Sequence, residues 1–223
     1  MVIYRTPERK RRKKARSVEP MVPPFVVDPE FLIFANPAPI DSMGFIISEI
    51  ACISPKFGSL PLETCPDDCG KLSLSVAPGK TTPRTQRDLE ADLKAIKSQG
   101  YDTIVCLLEW GEMEKIMLVN YPLTAQEHFR FLHFPIKDMS VPRMEEAKTF
   151  IPMLASLLHQ GKKVLLHCRQ GLGRAGLIAA CSLLHFGLTP DEAIQKIRER
   201  RKGAIQTDEQ RRFVRTYYRN TFG

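Results

Sequence analysis

The segment His167-Cys168-Arg169-Gln170-Gly171-Leu172-Gly173-Arg174-Ala175-Gly176 has the residue types and spacing to do chemistry. A short apolar run precedes it and an apolar helical pattern follows it. A turn from strand to helix aims successive backbone N–H groups and a helix N-terminus at one point, which makes an anion cradle. Gly171 and Gly173 allow the backbone angles and the close approach that a phosphate requires. Arg169, Gln170, Gly171, Leu172 and Gly173 would therefore line a bound anion. Cys168 stands at the start of the cradle, where the positive field favours a thiolate. Arg174 closes the loop, and its guanidinium fork can hold two phosphate oxygens at once. A thiolate beneath a bound phosphate implies attack at phosphorus and a cysteinyl-phosphate intermediate. The leaving oxygen then needs a proton. Asp138, at the end of Phe134-Pro135-Ile136-Lys137-Asp138, can supply it if its strand ends on the same sheet edge as the cysteine. The alternative for Asp138 is an ordinary exposed loop carboxylate.

Elements must hold these residues together. The pattern predicts strands over 71–77, 103–108, 131–136 and 163–167, the last three as short continuous apolar runs typical of buried parallel strands. Thr82-Pro83 reads as the start of a helix with Leu89, Leu93 and Ile96 on one face, stopped at Gly100. Residues 143–160 read as a helix with Pro152 as its kink. An apolar helix runs from Leu177 to His185. Thr189-Pro190-Asp191-Glu192 is a capping box for a helix ending at Gly203, and Thr207-Asp208-Glu209-Gln210 caps another. Alternating strands and helices predict the α/β class. One domain, 41–223, holds a central, mostly parallel sheet flanked by helices, with the phosphate loop between a buried strand and a helix.

The 223 residues are 43% hydrophobic and 26% charged, the balance of a soluble globular chain rather than a disordered or collagen-like one. No run approaches the length of a membrane span, and the N-terminus lacks the apolar segment of a secretory signal. Of the net charge of +8, residues 1–20 carry +6, in the run Arg9-Lys10-Arg11-Arg12-Lys13-Lys14 and its neighbours. Residues 1–40 are therefore expected to be a basic, proline-rich and largely disordered tail. The basic run is open to reading as a solvated arm, a nuclear import signal or a polyanion-binding patch. Phe31-Leu32-Ile33-Phe34 could dock on the core or on a partner. Cys65 and Cys69 lack a second ligand pair at zinc-finger spacing, so no metal is expected. The six cysteines are expected to be reduced, in the cytoplasm or nucleus.

Cys-x5-Arg preceded by His resembles the signature of the protein tyrosine phosphatase superfamily, in its dual-specificity branch. The segments 74–79, 93–100, Gly111-Glu112, 133–138 and 203–207 resemble, in order, those of the kinase-associated phosphatase type, over about residues 50–220. That type removes phosphate from the activation-loop threonine of a cyclin-dependent kinase. The resemblance implies that Cys168 is the nucleophile, Arg174 the phosphate clamp and Asp138 the general acid. It also implies that His167 helps keep the thiolate charged, although a packed strand-end histidine would look the same. Gln206 and Gln210 resemble the paired glutamines that orient the hydrolytic water, while capping alone would explain Gln210. The family usually has Ser or Thr after the arginine, and this chain has Ala175. Loss of that hydroxyl should slow hydrolysis of the phosphoenzyme rather than its formation.

The expected substrate is a phosphorylated protein, phosphothreonine or phosphoserine as well as phosphotyrosine, because the tyrosine-recognition segment of the tyrosine-specific branch is not found. Phosphoinositide-directed members have basic residues at the first and fourth loop positions after the cysteine. Here these are Arg169 and Leu172, so one of the two matches. A phosphoinositide phosphatase is thus the alternative, with the basic tail on anionic lipid. A phosphate-recognition module with little turnover is another. The thiolate, arginine and backbone amides need no cofactor. Nucleic acid is not an expected partner, and a monomer is the expected state. Cys106 and Cys181 could serve as redox partners of Cys168 but read better as core filler.

Overall fold

A computed structural model describes residues 45–54, 58–60 and 69–223. The elements are, in order, strands β1 (Ile47–Ser54), β2 (Gly58–Leu60), β3 (Gly70–Ser75), β4 (Thr81–Thr82) and β5 (Thr85–Gln86), helix α1 (Leu89–Ser98), strand β6 (Thr103–Cys106), helices α2 (Trp110–Lys115) and α3 (Tyr121–Gln126), strand β7 (Arg130–His133), helix α4 (Met144–His159), strand β8 (Lys163–His167), and helices α5 (Gly173–Leu184), α6 (Pro190–Arg200) and α7 (Asp208–Phe222). The main sheet has the order β2-β1-β3-β8-β6-β7. Pairings β3–β8, β8–β6 and β6–β7 are parallel, and β1 runs antiparallel to β2 and β3. This is the α/β domain that the sequence predicts, with an antiparallel edge that it does not.

Strand β8 shows why the sheet is covered on both faces. Val164 and Leu166 enter a core with α4, α5, α6 and α7, while Leu165 between them enters a second core with α1, α2 and α3. The alternation of side chains along a strand sends successive residues to opposite faces, so both must be apolar. Parallel pairing brings the C-terminal ends of β6, β7 and β8 to one edge. The register Cys106↔His133 and Cys106↔His167 fixes all three strand ends together, so the loops after β7 and β8 leave the same edge, one on each side of β6.

Some boundaries differ from expectation. The Thr82-Pro83 step is the turn of the small β4–β5 hairpin, a position proline also favours. Helix α1 starts later, on an Asp88 cap whose side chain accepts from the Ala91 N–H at 2.7 Å. Helix α5 begins at Gly173 rather than Leu177, so Arg174 and Ala175 lie in its first turn. Helix α6 ends at Arg200, short of Gly203. Pro152 sits inside α4, whose helix spans it. Cys52 is disulfide-bonded, which corrects the expectation that every thiol is reduced. Cys69, Cys106, Cys168 and Cys181 are free and buried. The basic run, Phe31-Leu32-Ile33-Phe34 and Cys65 lie outside the described residues.

Candidate active site

Cys168 directly follows β8 and is 3% exposed. The loop then turns through Gly171, whose φ of +69° is accessible to glycine and strained for other residues. Gly171 also packs against β3: a Cβ there would stand 2.1 Å from the Ser75 carbonyl oxygen. Gly173 is small for a different reason. Its φ is ordinary, but a Cβ would meet the Gln206 Oε1 at 2.7 Å and the Gln210 side chain at 3.1 Å. The Leu172 carbonyl accepts from the Gly176 N–H (3.0 Å) and the Ile205 N–H (3.2 Å), which ties the loop to both α5 and the turn before α7. Arg169 and Gln170 face solvent, and the Lys80 ammonium donates to Gln170 Oε1 at 3.2 Å.

Arg174 is 1% exposed, and an arginine so buried needs partners. Its Nη1 donates to Glu112 Oε2 (2.5 Å) and to the Ile136 carbonyl (2.9 Å), and its Nη2 donates to Glu112 Oε1 (2.9 Å). Nη2 also pairs with Asp138 Oδ1 at 2.9 Å. Burial opposes the arginine's charge, but the Glu112 carboxylate, the Cys168 sulfur and Asp138 outweigh it and hold the guanidinium above its ordinary value. Burial likewise opposes the charge of Glu112, and the hydrogen bond and charge of Arg174 win, holding the carboxyl below its usual range. Asp138 reaches this cluster from the rim, with its side chain 54% exposed. Cys168, Arg174 and Asp138 are thus brought to one sheet edge, as expected.

The supporting residues divide. His167 is fully buried, and its Nε2 lies 2.8 Å from the Tyr121 hydroxyl. Its Nδ1 is buried with no hydrogen-bond partner among the described residues. Burial pushes the ring's pKa down to about 3, so the His167 ring is neutral. Gln206 and Gln210 both stand over Gly173, but differently. Gln210 Oε1 accepts from the N–H groups of Gln206 (2.9 Å) and Thr207 (3.3 Å), and its Nε2 donates to the Ser140 carbonyl (3.2 Å). It is therefore both the cap of α7 and a tie to the Asp138 loop. Gln206 is exposed. Ala175 is fully buried in the first turn of α5. Cys106 and Cys181 are buried thiols pushed up by desolvation, Cys106 to about 12 and Cys181 further, as core filler should be.

Sequence reasoning gave no role to Glu112, Tyr121, Lys80 or Arg201. Glu112 could have been sought, since a loop arginine headed for the core implies a carboxylate. Its place depends on helix α2, too short to show a period.

A family model described as "Polymorphic toxin system, DSP-PTPase phosphatase" matches residues 78–188, a span that includes Asp138 and the whole Cys168–Arg174 loop. Cyclin-dependent kinase inhibitor 3 of Rattus norvegicus is 32% identical over 150 residues, 66% of this chain and 71% of the relative. The Homo sapiens protein of that name matches with the same identity and coverage. The crystal structure of kinase associated phosphatase, with serine in place of its catalytic-site cysteine, superposes with a TM-score of 0.69 at 26% identity. That match covers 81% of this chain and 97% of the other. With fold, loop and sequence in agreement, the chain belongs to the dual-specificity branch of the protein tyrosine phosphatase superfamily and is similar to the cyclin-dependent kinase inhibitor 3 type.

Proposed function

We propose that this dual-specificity protein phosphatase acts on the phosphothreonine of a cyclin-dependent kinase activation loop, with Cys168, Arg174 and Asp138 as its catalytic residues. The observation that carries the reading is a buried thiol and a buried guanidinium on one strand–loop–helix turn, with a rim carboxylate 2.9 Å from that guanidinium. Cys168 Sγ forms a bond to phosphorus as the bond to the threonine oxygen breaks. Asp138, released from its pair with Arg174 and entering the step as the carboxylic acid, gives that oxygen its proton. The backbone N–H groups of 169–173 and Arg174 hold the three remaining phosphate oxygens as charge grows on them. Water, oriented by Gln206, then attacks phosphorus. Asp138 takes the water's proton, the S–P bond breaks, and inorganic phosphate leaves. Similarity to the cyclin-dependent kinase inhibitor 3 type supports the kinase substrate.

The test is hydrolysis of a phosphothreonine kinase-loop peptide, a phosphotyrosine peptide and a soluble phosphoinositide, with Cys168→Ser alongside. Turnover of both peptides, faster for the kinase loop and lost in the variant, is expected. Preference for the phosphoinositide would overturn the protein-substrate reading. Tight peptide binding without turnover would make the chain a recognition module.

A further inference from the structure

Arg201 caps the C-terminal end of α6, and its side chain turns back onto the phosphate loop. Nε donates to the Gly171 carbonyl at 2.8 Å, Nη2 to the Gln170 carbonyl at 3.0 Å, and Nη1 to Ser48 Oγ on β1 at 2.9 Å. A trans peptide unit points its C=O and N–H in opposite directions. Holding the carbonyls of Gln170 and Gly171 on Arg201 therefore turns the N–H groups of Gly171 and Leu172 the other way, into the cradle. Gly171 has no room for a side chain: a Cβ would meet the Ser75 carbonyl oxygen at 2.1 Å and Arg201 Nη2 at 2.9 Å. Among the described residues Arg201 pairs with no carboxylate, so its charge adds to the field at Cys168.

Arg198, one turn earlier, does the same for another loop. Its Nε and Nη2 donate to the carbonyls of Ala204 and Ile205, each at 3.0 Å. Ile205 has φ +56°, a strained conformation for a β-branched residue. Arg198 from one side and the Leu172 carbonyl from the other hold that strained residue, and the next residue is Gln206 over Gly173. Residues three apart share a helix face, so one helix end presents both forks.

We infer that Arg201 and Arg198 are positioning residues, Arg201 setting the donor geometry of the phosphate cradle and Arg198 the Gln206 turn, so that the two chemical steps are braced separately. The inference rests on the catalytic roles proposed above. Its test uses the full chain as wild type, Arg201→Met, Arg201→Lys and Arg198→Met. Rapid-quench kinetics with p-nitrophenyl phosphate separate the burst, which is phosphoenzyme formation, from steady-state hydrolysis. Calorimetric titration with tungstate reports the cradle without catalysis. Misaiming one or two oxyanion donors should slow the Arg201→Met burst and weaken tungstate binding by ~30-fold or more. Arg201→Lys should recover little of this, because lysine has charge but no fork. Arg198→Met should leave burst and tungstate affinity within about 3-fold of wild type while steady-state turnover falls by ~10-fold. A wild-type burst and tungstate affinity in Arg201→Met would overturn the inference, as would full rescue by lysine. If Arg201→Met does not fold, Ser48→Ala removes one anchor of the same guanidinium and should show a smaller loss in the same step; no loss there would overturn it too. A wild type that neither bursts nor turns over would instead remove the proposed activity, while the tungstate affinities would still judge Arg201.

Discussion

The loop after β8 and the loop after β7 meet at Arg174, yet they are built in opposite ways. Residues 168–174 are locked. Cys168 and Arg174 are buried, Gly171 is wedged against β3, and the Leu172 carbonyl accepts two N–H groups. Residues 134–143 are held at points. Ile136 bonds through its N–H to Leu107 and through its carbonyl to Arg174, and Ser140 takes one bond from Gln210. Between these points Asp138 and Met139 face solvent, Asp138 reaching Arg174 from the rim, and Met139 has φ +60°. Groups that bind an anion work best fixed and desolvated, where each dipole counts for most. A proton donor must meet a variable leaving group and exchange its proton with water, so it belongs on the rim.

If that division is real, disrupting the locked loop should damage folding and catalysis together. Glu112→Ala leaves Arg174 buried with its main carboxylate gone. Breaking a buried pair typically costs ~3 kcal/mol or more, and Glu112 is only 14% exposed. Urea unfolding should show that loss, and kcat/KM should fall ~100-fold as the guanidinium loses its orientation. Asp138→Asn should separate the two effects. Stability should stay within ~0.5 kcal/mol, because the carboxylate is exposed. Turnover of a phosphothreonine peptide should fall ~100-fold, and that of an aryl phosphate with a good leaving group much less. Equal stability losses in the two variants would erase the distinction.

The same division governs what could be read from the sequence. The locked loop is legible because its requirements are local: a strand, glycines where a Cβ would clash, and a Cys-x5-Arg spacing within one turn. Asp138 is legible through topology, since parallel strands share a C-terminal edge. The role of Glu112, which the sequence shows only as part of a family-like segment, and that of Arg201 are not. One arrives on a six-residue helix and the other from the far end of α6, and only tertiary packing brings either to the loop. The antiparallel β1–β2 edge is equally hidden, as is the Cys52 disulfide. Thr82-Pro83 misleads because proline suits a helix start and a turn alike.

A pH series sharpens the contrast from the locked side. His167 titrates at about 3 in the folded chain against an ordinary 6.5, because burial disfavours its charged form. Below pH 6.5 the unfolded chain gains a proton that the folded chain refuses. Stability from this residue is therefore complete above 6.5 and falls by about 1.4 kcal/mol per pH unit down to 3. Glu112, held below its ordinary 4.5, contributes stability that is present above that value and is lost only as pH drops beneath it. Urea unfolding between pH 7 and 4 should therefore show a slope beginning near 6.5 that His167→Gln flattens by one proton. An unchanged slope would mean that His167 does not remain neutral in the fold.

The smallest expected effect comes from Ala175, which is fully buried one residue after Arg174, where related phosphatases usually place a hydroxyl. Ala175→Ser adds one donor to the first turn of α5, beside the sulfur that departs when the phosphoenzyme is hydrolysed. A hydrogen bond to a charged group is worth about 1.5 kcal/mol, or ~10-fold in rate, if it forms in that second transition state. Steady-state turnover should therefore rise by up to that factor and the burst become less distinct, with the burst rate constant itself unchanged. The locked loop has no slack, so the added oxygen must fit without shifting Arg174. A fall in burst rate with Ala175→Ser would show that packing at this position outweighs its chemistry. A rise confined to the second step would show that the loop binds phosphate fully and lacks only the group that lets the thiolate go.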